Sequence, residues 1–158
     1  LRYSDVAKLK RTDIKDGFIE VVTKKTNDGL RIELNKHSQA ILDKYKDFAF
    51  RGDLALPVIS NVKMNEALKV LGQVCGIDEP TRIVYFQGNQ RMEQVLPKWA
   101  LLTTHCGRRT FVVTALQLGI PSEVIMKWTG HSNFSAMKPY VKIVDELKAR
   151  AMTKFDSF

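Results

Sequence analysis

Three basic side chains crowd the start of an otherwise apolar segment. Residues 101–119, LLTTHCGRRTFVVTALQLG, place His105, Arg108 and Arg109 ahead of Phe111, Val112, Ala115, Leu116 and Leu118. At about 100° per residue those five apolar positions form an arc centred close to Arg108, and His105 points the same way one turn earlier. A cation in the middle of a buried face is costly unless something negative meets it. The first turn of a helix also presents free N–H groups and the positive end of the macrodipole, so cations there have the wrong sign. An arriving anion resolves both conflicts, and phosphate suits a helix N-terminus.

Other residues able to do chemistry are scattered along the chain. Arg2 lies on the first element, Lys24 and Lys25 at a hairpin tip, His131 after Gly130, and Tyr140 after Pro139. Taken singly, each has a structural explanation, because most Lys and Arg are solvated and a lone His is commonly a satisfied structural group. Together they suit attack on a phosphodiester. Two guanidinium forks can meet the charge on the non-bridging oxygens. A tyrosine hydroxyl, with a pKa of about 10, needs its proton taken as it attacks. No carboxylate cluster suits Mg²⁺, no His/Cys set suits Zn²⁺ and no P-loop is present, so neither metal nor cofactor is expected.

The elements that must position these residues follow from periodicity and turn chemistry. Ser4 is the expected cap of a short helix over 5–10. FIEVVTKKT and LRIEL flank Asn27-Asp28-Gly29, a strong hairpin signal. Residues 37–48 suggest a helix with Ala40, Ile41, Leu42, Tyr45 and Phe48 as its apolar set. RGDLALPVIS reads as a loop, and a helix begins at Asn61 or Asn65 and ends at Gly76. A second hairpin over 81–99 turns at Gly88-Asn89. The basic helix follows, with Thr104 as its N-cap and Gly119 and Pro121 as its stop. Pro121-Ser122-Glu123 starts a helix to Trp128, broken by Gly130-His131. NFSAMK gives a further turn, and Pro139 is expected to exclude Lys138 from helical geometry. Residues 144–155 are amphipathic. The class is mainly α with small antiparallel β-hairpins (α+β).

Composition sets the outer bounds. The 158 residues suffice for one domain with a real core. Lys plus Arg number 25 against 17 Asp plus Glu, a net charge of +8 that favours an anionic partner, nucleic acid first and a membrane surface second. No apolar run approaches a membrane span. Two cysteines make neither a disulfide framework nor a metal set, as expected in a reducing cytosol. The chain begins at Leu1 without Met and reads as part of a longer protein.

In order, LRYSDVAKL, the hairpin TKKT, HCGRRTF and GHSNFSAMKPY resemble the catalytic domain of the tyrosine recombinases, the phage-integrase family. The resemblance covers nearly the whole chain, residues 1–158, and five ordered motifs make it specific: Arg, a hairpin Lys, His-x-x-Arg, Gly-His, and Tyr nine residues after that His, as His131 and Tyr140 are spaced here. It implies the recombinase catalytic-domain fold, an upstream DNA-binding domain, and DNA strand exchange through a covalent phosphotyrosine without metal or ATP. By position, Arg2 and Arg108 clamp the scissile phosphate, His105 acts as base, His131 donates a hydrogen bond to the phosphate, and Tyr140 is the nucleophile. Lys25 matches the general-acid lysine, and a one-residue shift would exchange it with Lys24. Arg109 and Asp5 read as structural. The implied partners are double-stranded DNA and further copies assembling on it, with a monomer when free. The setting is the bacterial cytosol or nucleoid. A type IB topoisomerase shares nearly the same chemistry, and a DNA-binding module with a degenerate site is the alternative of a different class.

Overall fold

The Asp16-Gly17 pair turns the chain between two short strands, with Gly17 at φ 84°, where a side chain would be strained. Those strands are β1 (Ile14–Lys15) and β2 (Phe18–Val22), and β3 (Gly29–Glu33) pairs antiparallel with the other edge of β2. The register sets Ile19 opposite Ile32 and Val21 opposite Leu30, so one face carries the aliphatic pairs. On the other face the Arg31 guanidinium lies 3.8 Å from the centre of the Phe18 ring. The antiparallel pairing of β2 with β3 is therefore as expected, the expected turn at Asn27-Asp28 lies outside the described residues, and β1 was not foreseen.

The computed structural model describes residues 1–22, 29–141 and 152. It divides into two compact units, Leu1–Val58 with Arg108–Phe158, and Ile59–Gly107. The described elements form small antiparallel sheets and helices, an α+β class.

In the first unit, α1 (Tyr3–Val6) starts earlier than Ser4 would set it, with Arg2 at its N-cap. The α2 helix (Lys36–Tyr45) is capped reciprocally: the Asn35 side chain accepts from the N–H of Ser38 at 2.9 Å, and the Ser38 hydroxyl accepts from the N–H of Asn35 at 3.0 Å. It stops at Tyr45, short of residue 48. Of its expected apolar set only Leu42 is buried; Ala40, Ile41 and Phe48 are exposed and Tyr45 is half-buried. The Arg11 guanidinium explains the stop, since it donates to the carbonyls of Tyr45 (3.1 Å), Lys46 and Phe48 at the helix end. Leu9, Ile19, Leu42 and Ala55 close one small core around these pieces.

A second core in the same unit holds the residues of interest. The α4 helix (Thr104–Gln117), named after α3 below, contributes Val112 and Ala115. The α5 helix (Ser122–Thr129) contributes Ile125, a 3₁₀ turn over Phe134–Met137 contributes Met137, and α6 (Lys138–Val141) contributes Tyr140. Gly119 at φ 77° and Gly130 at φ 63° end α4 and α5. The buried stripe of α4 is narrower than the sequence arc: Arg108, Val112 and Ala115 are buried, whereas Phe111 and Leu118 are 43% and 75% exposed. Phe111 instead meets the edge of Trp128, with ring centroids 6.2 Å apart.

Pro139 does not break the chain. Lys138 is helical (φ −50°, ψ −41°) and Pro139 is the second residue of α6. In a first helical turn the N–H that proline lacks has no intrahelical acceptor, so the ring costs little there. The expectation that Lys138 is excluded from helical geometry is overturned.

The second unit consists of α3 (Asn61–Val74), capped by the Ser60 hydroxyl, and the hairpin of β4 (Pro80–Gln87) with β5 (Gln90–Pro97). Its turn is Gly88-Asn89, as expected, with Gly88 at φ 61°. Gly72 is buried, and the position requires glycine because a Cβ there would stand 2.5 Å from Leu102 Cδ1 and 3.0 Å from Trp99 Cβ. Residues 144–155, read as an amphipathic segment, lie outside the described residues except Met152.

Candidate active site

Arg108 is the organising side chain. It sits on the buried stripe of α4, four and seven residues before Val112 and Ala115, and is only 8% exposed. Its Nη2 donates to the carbonyl of Thr129 and lies 3.2 Å from Nε2 of His131. Burial first, and then the positive charge of Arg2, hold the guanidinium below the ordinary arginine range, while Tyr140 and Asp5 act in the opposite sense. No carboxylate among the described residues forms an ion pair with it. Desolvated positive charge facing a second arginine is the arrangement that an incoming anion would relieve.

The neighbours reach this point from separate elements. Arg2 stands at the N-cap of α1, where its N–H donates to Asp5 Oδ2 at 2.9 Å, so Asp5 holds the local turn. His131 follows the left-handed Gly130; its N–H donates to the Met126 carbonyl at 3.1 Å, and its Nδ1 lies 2.8 Å from the Thr129 hydroxyl. Tyr140 is 9% exposed and packs in the cluster of Val112, Ala115, Ile125 and Met137. Its position inside α6 gives it a helical backbone rather than an extended approach.

Arg2, Arg108, His131 and Tyr140 are thus gathered in the first unit. His105 is the second residue of α4, three positions before Arg108, and is exposed. Thr104 is the first residue of α4 rather than its cap, and its N–H donates to the Asn65 side chain at 2.9 Å. Arg109 is exposed. Lys24 and Lys25 lie outside the described residues, between Val22 and Gly29. His131 also lines an open groove of about 780 Å³ with Leu30, Arg31, Met126 and Trp128, walled by Glu33, whose carboxylate accepts from Trp128 Nε1 at 2.6 Å.

Thr129 escaped the sequence reading. It is 2% exposed, and its position four residues after Ile125 on the inward stripe of α5 was the available signal. Among the described residues no three His, Cys, Asp or Glu side chains gather as a metal-ligand set, and no helix is long and apolar enough to cross a membrane. No protein-family model, no curated protein and no solved structure matches the chain.

Proposed function

We propose that this chain is the catalytic domain of a tyrosine recombinase, a DNA strand transferase working through a 3′-phosphotyrosine. The observation that carries the reading is the Arg108 guanidinium, desolvated in the field of Arg2 and joined to His131, with Tyr140 beside it. Two guanidinium groups and an imidazole are what a pentavalent phosphorane, with extra charge on its equatorial oxygens, requires. In the reaction the Tyr140 oxygen attacks the scissile phosphorus and loses its proton to a base, the role that the resemblance gives to His105. The bond to the 5′ oxygen breaks, and that oxygen leaves with a proton from Lys25. Reversal by another 5′ hydroxyl rejoins the strand, and the phosphotyrosine keeps the bond free energy, so the cycle needs no ATP. The basic balance of +8 is suited to a DNA backbone. The partners proposed are duplex DNA and further copies assembling on it from free monomers, in a bacterial cytosol.

A nicked duplex tests the reading, because the short strand released on cleavage diffuses away and leaves the adduct trapped. Denaturing gels in EDTA are expected to show protein covalently attached to DNA, with peptide mapping to Tyr140. The adduct disappears in Tyr140→Phe, which keeps the buried ring and hence the fold. An adduct on Tyr3, Tyr45 or Tyr85, or one that persists in Tyr140→Phe, overturns the assignment.

A further inference from the structure

The hydrogen bonds around Thr129 determine where the proton of His131 resides. A threonine hydroxyl has one proton, and here it goes to the carbonyl of Ile125, 2.6 Å away, which can only accept. The Nδ1 of His131 stands 2.8 Å from the same hydroxyl oxygen. It must be the donor, since two lone pairs would otherwise face each other. The far nitrogen meets the complementary constraint. Nε2 is 3.2 Å from Nη2 of Arg108, and a guanidinium has donors only, so Nε2 accepts. The other Nη2 hydrogen goes to the backbone carbonyl of Thr129 itself.

We infer that Thr129 is a positioning residue of this site: its hydroxyl sets His131 as the Nδ1–H tautomer with Nε2 directed at Arg108, and its carbonyl orients the Arg108 guanidinium. One residue therefore holds two groups, one from α4 and one from the turn after α5. This matters because an imidazole in the wrong tautomer presents a donor where Arg108 needs an acceptor. A planar guanidinium also binds phosphate oxygens well only when its fork is correctly turned. In the free chain His131 accepts from Arg108 rather than offering Nε2–H to a phosphate, which revises the donor role expected from the sequence. The contribution to strand transfer rests on the proposed function; the tautomer assignment does not.

The test uses the full chain, ¹⁵N-labelled, with long-range ¹H–¹⁵N correlations of its three histidines and the His131 signals identified by their loss in His131→Gln. The wild type is expected to show Nδ1–H and a lone pair on Nε2. Thr129→Val, nearly isosteric but without the hydroxyl, moves the ring toward the other tautomer, and Thr129→Ser keeps it. On the nicked duplex Thr129→Val lowers the single-turnover cleavage rate by roughly 10²-fold, and Thr129→Ser recovers most of it. A wild-type His131 protonated on Nε2 alone, or a Thr129→Val tautomer identical to wild type, overturns the inference. The wild-type spectrum decides even if Thr129→Val does not fold. An Nδ1–H tautomer in a chain that forms no DNA adduct overturns the strand-transfer reading and leaves the Thr129 assignment standing.

Discussion

Nη2 of Arg108 lies 3.2 Å from Nε2 of His131, although 23 positions separate the two residues. The contact joins the start of the buried part of α4 to the turn after α5 and fixes a guanidinium where burial and Arg2 both disfavour its charge. A buried cation of this kind is costly for the free chain unless an anion meets it, so under the proposed reaction this position trades stability for function.

Arg108→Lys separates charge from geometry. A lysine keeps the positive charge but cannot donate to Thr129, His131 and two phosphate oxygens through one planar fork. Single-turnover cleavage of a nicked duplex is expected to fall by about 10²–10³-fold, the scale of losing one oxyanion donor, with the circular dichroism spectrum unchanged. Arg109→Ala is the control. Its side chain is exposed, so stability should move by no more than about 0.5 kcal/mol, contrary to the structural role the sequence suggested. A lysine variant that cleaves like wild type would remove Arg108 from phosphate binding.

The groove beside His131 carries a pH-dependent reporter. Trp128 Nε1 donates to Glu33 at 2.6 Å, and chiefly this hydrogen bond holds the carboxyl below the ordinary value of 4.5. A carboxyl depressed in the folded chain adds stability that is fully present above the unfolded value and is lost as pH falls through the lowered folded value. Because Glu33 is exposed, the gain is small. In a Trp99→Phe background, Trp128 emission should therefore change at a midpoint below pH 4.5. In Glu33→Gln that inflection should vanish. A midpoint at or above the ordinary value would mean the bond does not persist in solution.

What the sequence revealed and what it hid have separate physical reasons. The antiparallel pairs β2–β3 and β4–β5 were legible because turn-forming residues, Asn27-Asp28-Gly29 and Gly88-Asn89, interrupt alternating stretches of sequence, a short-range signal. β1 carried the same kind of signal in Asp16-Gly17, but two residues are too few to show alternation. Arg2, Arg108, His131 and Tyr140 were all named from type and order, and the structure brings them into one unit. Apolar arcs were read too widely: periodicity assigns Phe111, Leu118 and Ile41 to a face, while the available neighbours cover only its centre. Pro139 was misread because a proline's effect depends on whether it begins a helix or interrupts one. Thr129 was missed because its spacing from Ile125 signals only an inward position on α5, whereas its hydrogen bonds to His131 and Ile125 depend on the folded geometry.

Lys25 is best tested by the leaving group. Expulsion of a 5′ alkoxide needs a proton in the transition state, and a positioned acid contributes about 10²–10⁴-fold. A 5′-bridging sulfur leaves as a thiolate, whose conjugate acid has a pKa of about 8.5, and needs no such help. Lys25→Ala should be strongly defective on the ordinary nicked duplex and close to wild type on the sulfur-bridged one, measured as single-turnover adduct formation. Lys24→Ala should be little affected on either substrate, because the resemblance gives the acid role to Lys25 and leaves Lys24 with none. If Lys24→Ala is the variant that sulfur rescues, the acid is Lys24 and the match to the lysine motif is shifted by one residue. If neither is rescued, the lysines act on DNA binding rather than on the leaving oxygen, and the general acid must be sought among the groups that reach the 5′ side.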